Sequence, residues 1–174
     1  NITQLLDNAF KIKDLGDLKF FLDVEVARTP AGINLCQRKY ALDILDDIGM
    51  LGSKPVSPPS CYTTKLHQHS GTPLLAENES SYRRLIDRLI YLTNTRPDIT
   101  YVVQHLSQFV VGPTLAHQQA AFRILRYIKR SPGAWIFFSA DSNTHLQGFS
   151  DSDWLHVLIP EDLLLVMLYT LVIL

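Results

Sequence analysis

The composition of this chain changes abruptly after Trp154, and the change limits what its last part can fold into. Residues 155–174 hold no Lys or Arg, carry two acidic residues, and are otherwise mostly Leu, Val, Ile and Met. The preceding residues 148–154, GFSDSDW, mix apolar, acidic and aromatic side chains. Paired acids such as Asp151 and Asp153 hold catalytic metal ions when other carboxylates complete the site. Residues 155–174 show no polar strand pattern that would supply them, so the sequence predicts an incomplete metal site.

The length and composition suit one domain of ordinary size or two small ones. The chain has 174 residues, of which 47% are hydrophobic, enough to bury a core. Its formal net charge of −1 gives no general attraction to nucleic acid or to an anionic membrane, so such binding needs a local basic face. The apolar stretch 163–174 is shorter than the roughly 20 residues of a membrane span. We therefore expect no membrane partner.

The cysteines and the first residues indicate an intracellular chain. Cys36 and Cys61 lack the close pairing of a zinc site and are predicted to be free thiols in a reducing compartment. The first ten residues, NITQLLDNAF, lack the basic start and apolar run of a secretory signal. We expect the cytoplasm or nucleus rather than secretion, no cofactor, and no defined protein partner.

The first half of the chain predicts a helix, a β-hairpin, a second helix and a linker. Apolar residues recur at helical spacing over residues 1–15, and Gly16 ends that pattern. Residues 18–28 and 33–37 alternate around a turn at 29–32, as in a hairpin. Residues 38–50 return to helical spacing. Residues 53–80 are rich in Pro, Ser and Thr and predict a linker, in which His67 and His69 are solvated rather than metal ligands.

The second half predicts three helices followed by strands. The helical block runs from Ser81, with Ser80 or Ser81 as its cap, to about Arg130, with breaks at Pro97 and at Gly112-Pro113. Residues 134–138 and 146–149 read as strands. The fold class is therefore α+β. Tyr91, Tyr101 and Tyr127 are predicted to pack between helices, and Arg96 to pair with Asp98 at a helix start.

Two groups of basic residues lie on the predicted helices, and two interpretations of them stay open. They contact the phosphates of a nucleic-acid duplex, or they are the solvated faces of amphipathic helices. The first group, called the α3 cluster below, consists of Arg83, Arg84 and Arg88. The second group, called the α5 cluster, consists of Arg123, Arg126, Lys129 and Arg130.

Several strings in order along the chain resemble the Pol polyprotein of copia-type LTR retrotransposons. They are FKIKDLGDLK at residues 10–19, QRKYALD at 37–43, YRRL at 82–85, YLT at 91–93 with TRPDI at 95–99, and SDSDW at 150–154. The resemblance implies that residues 1–52 are the end of a reverse-transcriptase palm with a primer-grip-like hairpin. It implies a linker at 53–80, a helical thumb and connection region at 81–132, and the first two or three strands of an incomplete ribonuclease H-like sheet at 133–154.

The same resemblance locates the catalytic acids of the family. Its polymerase aspartates lie on a Tyr-x-Asp-Asp turn, which this sequence does not contain. Asp151 matches the first ribonuclease H carboxylate, which in the family holds Mg²⁺ together with later acids, so here it is predicted to be vestigial. Asp23 and Asp87 stand where the family has glycine, and each places a charge at a position expected to need close backbone contact.

Residues 155–174 are explained by a change of reading frame. The family continues after Asp-Trp with Ala, Gly or Ala, then Cys, and a string such as DTRRSTTGY. Codons that encode the tail, read from the third base of the Leu155 codon, give ACLDTRRSTTGYVVYLGDI. The visible residues force most of the second and third bases of the shifted codons. The sequence therefore predicts a one-base deletion just after the Trp154 codon.

These observations predict a degenerate fragment of a retrotransposon reverse transcriptase and ribonuclease H, which is not an active enzyme. Its expected partner is an RNA or DNA duplex, bound weakly. Two alternatives stay open: a piece of a functional RNA-directed DNA polymerase polyprotein, shortened by gene modelling, and a domesticated helical interaction module.

Overall fold

The computed structural model describes residues 2–11, 16–60, 66–67 and 71–142. Five helices and four strands occur in these ranges, together with a short 3-10 turn, and they confirm the α+β class. In chain order they are α1 (Ile2–Phe10), β1 (Phe20–Phe21), β2 (Val24–Thr29), β3 (Gly32–Cys36), α2 (Arg38–Asp47), α3 (Ala76–Leu92), the 3-10 turn (Pro97–Ile99), α4 (Thr100–Ser107), α5 (Leu115–Arg130) and β4 (Trp135–Ser139).

Helix α1 is shorter than its apolar pattern predicts. It ends at Phe10 rather than at residue 15, and Lys11 follows with a left-handed φ of +52°. Ile2 and Phe10 on its apolar face are exposed by 75% and 74%. Helix periodicity therefore located this element correctly, whereas its C-terminus depended on a backbone conformation that the pattern does not encode.

The first predicted strand is interrupted by a tight turn. Phe21 pairs with Val24 in an antiparallel register, so two residues connect β1 to β2. Both turn residues have a left-handed φ, +46° for Leu22 and +61° for Asp23. Two-residue hairpin turns of type I′ require this conformation, and glycine fits it best. Asp23 therefore occupies a position that favours glycine because of its φ. Asp87 lies exposed on α3, so the prediction that it needs a close backbone contact was wrong.

The four strands form one sheet in the order β1-β2-β3-β4. The chain divides into a larger unit, residues 1–27 with 34–136, and a smaller unit, residues 28–33 with the chain from residue 137 onward. In the smaller unit, the amide of Ala140 donates to the carbonyl of Ala31 at 2.8 Å. Gly32 has a φ of +151°, and a Cβ there would lie 2.1 Å from the carbonyl oxygen of Phe138. Only glycine is compatible with this approach.

The core of the larger unit lies between helices α2, α3, α4 and α5. Its fully buried side chains come from all four helices, so α2 shares a core with the helical block that follows the proline-rich segment. They include Ile44, Leu45, Leu85, Ile86, Leu89, Leu92, Val103, Leu106, Ile124, Leu125 and Ile128. The apolar residues of α5 at helical spacing, Ile124, Leu125 and Ile128, are buried, whereas Ile90 on α3 is 43% exposed.

Helix α3 begins at Ala76, five residues before the predicted start, and the serines do not cap it. Ser80 and Ser81 instead donate their hydroxyls to the carbonyl of Glu77, at 3.1 and 3.5 Å. Glu77 and Glu79 lie in the first turn, where carboxylates stabilise the positive end of the helix dipole. The linker is therefore shorter than predicted. Among the described residues, no helix is both long and apolar enough to cross a membrane.

Candidate nucleic-acid interface

The α5 cluster is in contact with the crossing segment, which we define as residues 53–60. The Nε of Arg123 donates to the carbonyl of Pro58 at 3.2 Å, and the Nε of Arg126 donates to the carbonyl of Lys54 at 2.7 Å. The terminal guanidinium nitrogens of both arginines make no hydrogen bond with another described residue. The Nε–H of each arginine therefore binds the crossing segment, and the terminal N–H groups are not used by any described residue.

The remaining two members of the α5 cluster differ in their surroundings. The Nζ of Lys129 donates to the carbonyl of Ser53, so it also holds the crossing segment. Arg130 is exposed and pairs with no other described residue. Lys129 and Arg130 lie in the last turn of α5, where cations stabilise the negative end of the helix dipole.

The α5 cluster keeps its positive charge because its acceptors are neutral. A backbone carbonyl accepts a hydrogen bond without cancelling the charge of the donor, whereas a carboxylate cancels it. Within the described ranges, no acid pairs with a member of this cluster. The ion pairs there join Lys39 to Asp43, Arg88 to Asp47, and Arg96 to Asp98.

Lys54 is a further cation of this surface that the sequence pattern did not indicate. It is exposed, and its own carbonyl accepts the hydrogen bond from Arg126 at 2.7 Å. Lys54 lies in a proline-rich segment without periodicity, so no spacing rule relates it to Arg126, which follows 72 residues later. Only the tertiary contact shows that it adds its charge to the α5 cluster.

The α3 cluster has a different arrangement. Arg88 forms an ion pair of 2.7 Å with Asp47 at the end of α2, and its guanidinium carbon lies 5.7 Å from the ring centroid of Tyr40. Arg83 donates to the carbonyl of Val110 at 3.4 Å. Arg84 is exposed and pairs with no other described residue. The charge of Arg88 is therefore neutralised. Arg84 is the member of this cluster whose N–H groups make no hydrogen bond with a described residue.

The predicted pair of Arg96 and Asp98 is confirmed and is partly buried. Two parallel hydrogen bonds of 2.9 and 2.8 Å join the guanidinium to the carboxylate, and a third of 2.9 Å reaches the carbonyl of Ser131. The guanidinium also lies over the ring of Tyr127, 5.7 Å from its centroid. Burial raises the pKa of Asp98, but the hydrogen bonds and charge of Arg96 outweigh it and hold that pKa below its usual range. This arginine joins helices rather than offering donors to a ligand.

The three tyrosines do not behave alike. Tyr91 packs edge-to-face on Tyr40, with ring centroids 5.2 Å apart, and donates its hydroxyl to the carbonyl of Leu22. Tyr127 lies under Arg96, so both tyrosines pack as predicted. Tyr101 is 81% exposed, and the expectation that it packs between helices was wrong.

The vestigial metal site predicted at Asp151 lies outside the described residues, as do Asp153, the strand predicted at 146–149 and the tail 155–174. Among the residues that are described, no group of three or more His, Cys, Asp or Glu could hold a metal ion.

Comparison with known proteins identifies the origin of the chain. Residues 1–62 match the family of reverse transcriptases, described as RNA-dependent DNA polymerases. The Pol polyprotein of transposon RE1 from Arabidopsis thaliana is 42% identical over 88% of this chain, and that of transposon RE2 is 41% identical over 86%. The chain is related to copia-type retrotransposon Pol polyproteins.

The chain matches only part of these relatives. It spans 10% of the length of each of the two Pol polyproteins. An uncharacterized mitochondrial protein of Arabidopsis thaliana is 38% identical over 86% of the chain, which spans 61% of that protein. No solved structure matches the chain. The Pol relationship is thus a property of this segment, and the activities of a whole Pol polyprotein are not carried over to it.

Proposed function

We propose that this chain is a degenerate segment of a retrotransposon reverse transcriptase and ribonuclease H polyprotein that has no catalysis of its own and binds nucleic-acid duplexes weakly through its basic helix faces. The observation that carries the binding is the α5 cluster, in which Arg123, Arg126 and Lys129 are held by neutral carbonyls. Phosphate contacts from such cations supply sequence-independent affinity that falls as salt rises.

The proposed lack of catalysis rests on the acids that phosphoryl transfer needs. Nucleotide addition and hybrid cleavage both use metal ions held by several carboxylates. The sequence has no Tyr-x-Asp-Asp turn, and Asp151 is followed by a tail that carries only two acids. Residues 1–174 by themselves do not supply such a set of carboxylates, so our proposal treats Asp151 as vestigial in this segment.

The proposed degeneracy is supported by the tail. The two Pol alignments cover 88% and 86% of the chain, which leaves an unmatched share about the size of residues 155–174. In the shifted frame those residues restore a string that resembles the family. The nucleotide sequence of the gene tests this directly: an added or lost base near the Trp154 codon supports degeneracy, and an unbroken family frame there contradicts it.

Binding is tested by fluorescence anisotropy with a labelled RNA–DNA hybrid over a range of salt concentrations. The double variant Arg84→Ala/Arg130→Ala removes two exposed cations that hold no other described residue in place. If each contacts one phosphate, the slope of log affinity against log salt becomes shallower by about 0.9 for each cation removed. Folding is expected to be unchanged, because neither side chain has a partner among the described residues.

The matched control is Lys39→Ala, which removes a cation already paired with Asp43 at 2.9 Å. Its salt slope should equal that of the unmodified chain. Equal slopes for all three proteins would contradict binding through these helices and favour solvated faces instead.

Catalysis is tested by primer extension and by cleavage of an RNA–DNA hybrid, with Mg²⁺ and with Mn²⁺. No product is expected. A metal-dependent product that copurifies with the chain and is abolished by Asp151→Asn would show a working ribonuclease H acid and overturn the proposal.

A second candidate is a segment of a working RNA-directed DNA polymerase. The chain spans only 10% of the length of each Pol relative. This favours the second candidate, because a working polymerase would contain much more sequence than this segment. An open frame before Asn1 that encodes a Tyr-x-Asp-Asp turn would support this candidate.

A further inference from the structure

His117 is a fully buried histidine whose two ring nitrogens have different roles. Its side chain is 0% exposed and forms part of the capping box at the start of α5. The backbone N–H of Thr114 donates to Nδ1 at 3.1 Å. Because Nδ1 accepts this bond, the proton of a neutral ring lies on Nε2, which donates to the carbonyl of His67 at 3.1 Å.

This environment accommodates the neutral ring and disfavours the charged one. A proton on Nδ1 would face the N–H of Thr114, so that hydrogen bond would become a repulsion between two donors, which the Thr114 hydroxyl, also 3.1 Å from Nδ1, offsets only in part. The ring also lies in the first turn of α5, where the helix dipole is positive and opposes a cation. Its face stacks on Phe109, with centroids 4.1 Å apart and planes within 4°, so water does not reach that side.

The titratable neighbours do not compensate for these effects. Burial lowers the pKa of His117, the hydrogen bond to the His67 carbonyl opposes that shift, and nearby His105 on α4 lowers the pKa further. Neither neighbour is a carboxylate that would stabilise an imidazolium. Burial, helix position and local charge therefore act in the same direction.

The ring is placed where three parts of the chain meet. The carbonyl it binds belongs to residues 66–67, and a short bridge joins Pro73 to Thr114 beside it. The amide of Leu115 donates to the carbonyl of Thr72 at 2.9 Å, and the amide of Leu74 donates to the carbonyl of Pro113 at 2.9 Å. These bonds attach the end of the proline-rich segment to the start of α5.

We propose that His117 is a pH-sensitive lock: the buried neutral ring holds residues 66–67 and 71–74 against the N-terminus of α5, and protonation opens this contact because the charged ring is hydrated only in the open form. This inference is independent of nucleic-acid binding. Because the folded pKa is lowered, the unfolded or locally open chain binds the proton more tightly. The stabilisation is complete above the unfolded histidine pKa of about 6.5 and is lost as the pH falls below it.

The full chain is studied by amide hydrogen exchange and by NMR between pH 7.5 and 5. Protection factors, which correct for the intrinsic effect of pH, should fall at Leu74, Thr114 and Leu115 by up to tenfold per pH unit, the limit for one proton. Amides in the middle of α3, such as that of Leu89, should keep their protection over the same range. Uniform loss at all of these sites would place the pH effect elsewhere and overturn the proposal.

Two substitutions identify the group that titrates. His117→Gln keeps one donor and one acceptor but does not titrate, so the local protection should lose its pH dependence. His105→Gln, the matched control on α4, should keep the pH dependence, with its midpoint moved slightly upward because the charge of His105 no longer opposes protonation of His117. If His117→Gln keeps the pH dependence of local protection, or if both variants lose it, His117 is not the group that titrates.

The ring itself gives a measurement that does not require a variant to fold. Nitrogen chemical shifts of the His117 imidazole should show a proton on Nε2, an unprotonated Nδ1, and a midpoint below 6.5. A midpoint at or above 6.5, or a proton on Nδ1, would overturn the proposal.

Discussion

The basic faces of α3 and α5 look alike in sequence but differ in what accepts their hydrogen bonds. On α3, Arg88 pairs with the carboxylate of Asp47 at 2.7 Å. On α5, Arg123 and Arg126 donate to backbone carbonyls of the crossing segment. The first arrangement neutralises a charge, whereas the second positions the charges and leaves them intact. A row of cations on a helix therefore does not by itself tell whether that helix has a positive surface.

The comparison also shows that the two interpretations of these clusters are not exclusive. The Nε of Arg126 holds the crossing segment, while its terminal nitrogens have no described partner. The same side chain thus stabilises the fold and keeps donors for a phosphate. A variant that simply removes it would alter both properties, so the predictions below separate charge from hydrogen bonding.

The largest effect on stability is expected at Arg96. Its guanidinium binds a carboxylate, as Arg88 does, and also a backbone carbonyl, as Arg126 does. Its side chain is 3% exposed, and Arg96→Ala removes three hydrogen bonds and the contact with Tyr127. Because Asp98 is 38% exposed and regains water, we expect a loss of about 2–3 kcal/mol in the free energy of unfolding. Urea denaturation measures it. Arg84→Ala removes a side chain that has no partner in the described part of the chain, so it should change stability by less than about 0.5 kcal/mol.

The same pair predicts a pH dependence at the acid end. The pKa of Asp98 is lowered in the folded chain, so the pair's contribution is present above the unfolded aspartate pKa of about 3.9. It is lost as the pH falls through the lower folded pKa. Stability measured from pH 6 to pH 2.5 should therefore fall less steeply for Asp98→Asn than for the unmodified chain. An identical loss of stability between pH 6 and pH 2.5 in both proteins would show that Arg96 does not stabilise the charged carboxylate.

An intermediate effect is expected at Arg126, where charge and hydrogen bonding can be separated. Arg126→Met should weaken attachment of the crossing segment by about 1 kcal/mol and reduce the salt slope of hybrid binding by about 0.9. Arg126→Lys keeps the charge, so it should retain the salt slope even if stability falls. An equal reduction of the salt slope in both variants would mean that the phosphate contact depends on the geometry of the guanidinium rather than on its charge.

The smallest effect is expected at Asp47, and it would make α3 resemble α5. Asp47→Asn removes the carboxylate that neutralises Arg88, at a cost of less than about 1 kcal/mol for this largely exposed pair. The freed charge should raise affinity for a hybrid at low salt and steepen the salt slope. Asp43→Asn frees Lys39 on α2 in the same way and serves as the control. A larger gain from Asp43→Asn would place the nucleic-acid surface on α2 instead.

Sequence patterns located the elements better than their ends. Spacing of apolar residues identified α2, α4, α5 and the strand beginning near residue 134, and TRPDI predicted the pairing of Arg96 with Asp98. The start of α3 at Ala76 was missed because the helix has no polar side-chain cap for a pattern to detect. The turn at Leu22 and Asp23 was missed because leucine rarely adopts the left-handed φ that this turn requires.

The sequence by itself determined the relationship to copia-type Pol polyproteins, the α+β class, the absence of a Tyr-x-Asp-Asp turn, and which residues carry charge. These are local properties, readable from residue order and helical or strand periodicity. Only the tertiary structure decided which charges are neutralised, since that depends on whether a carboxylate or a carbonyl lies within hydrogen-bonding distance. Asp47, Lys54 and His67 lie far along the chain from Arg88, Arg126 and His117, and no sequence period connects residues at such separations.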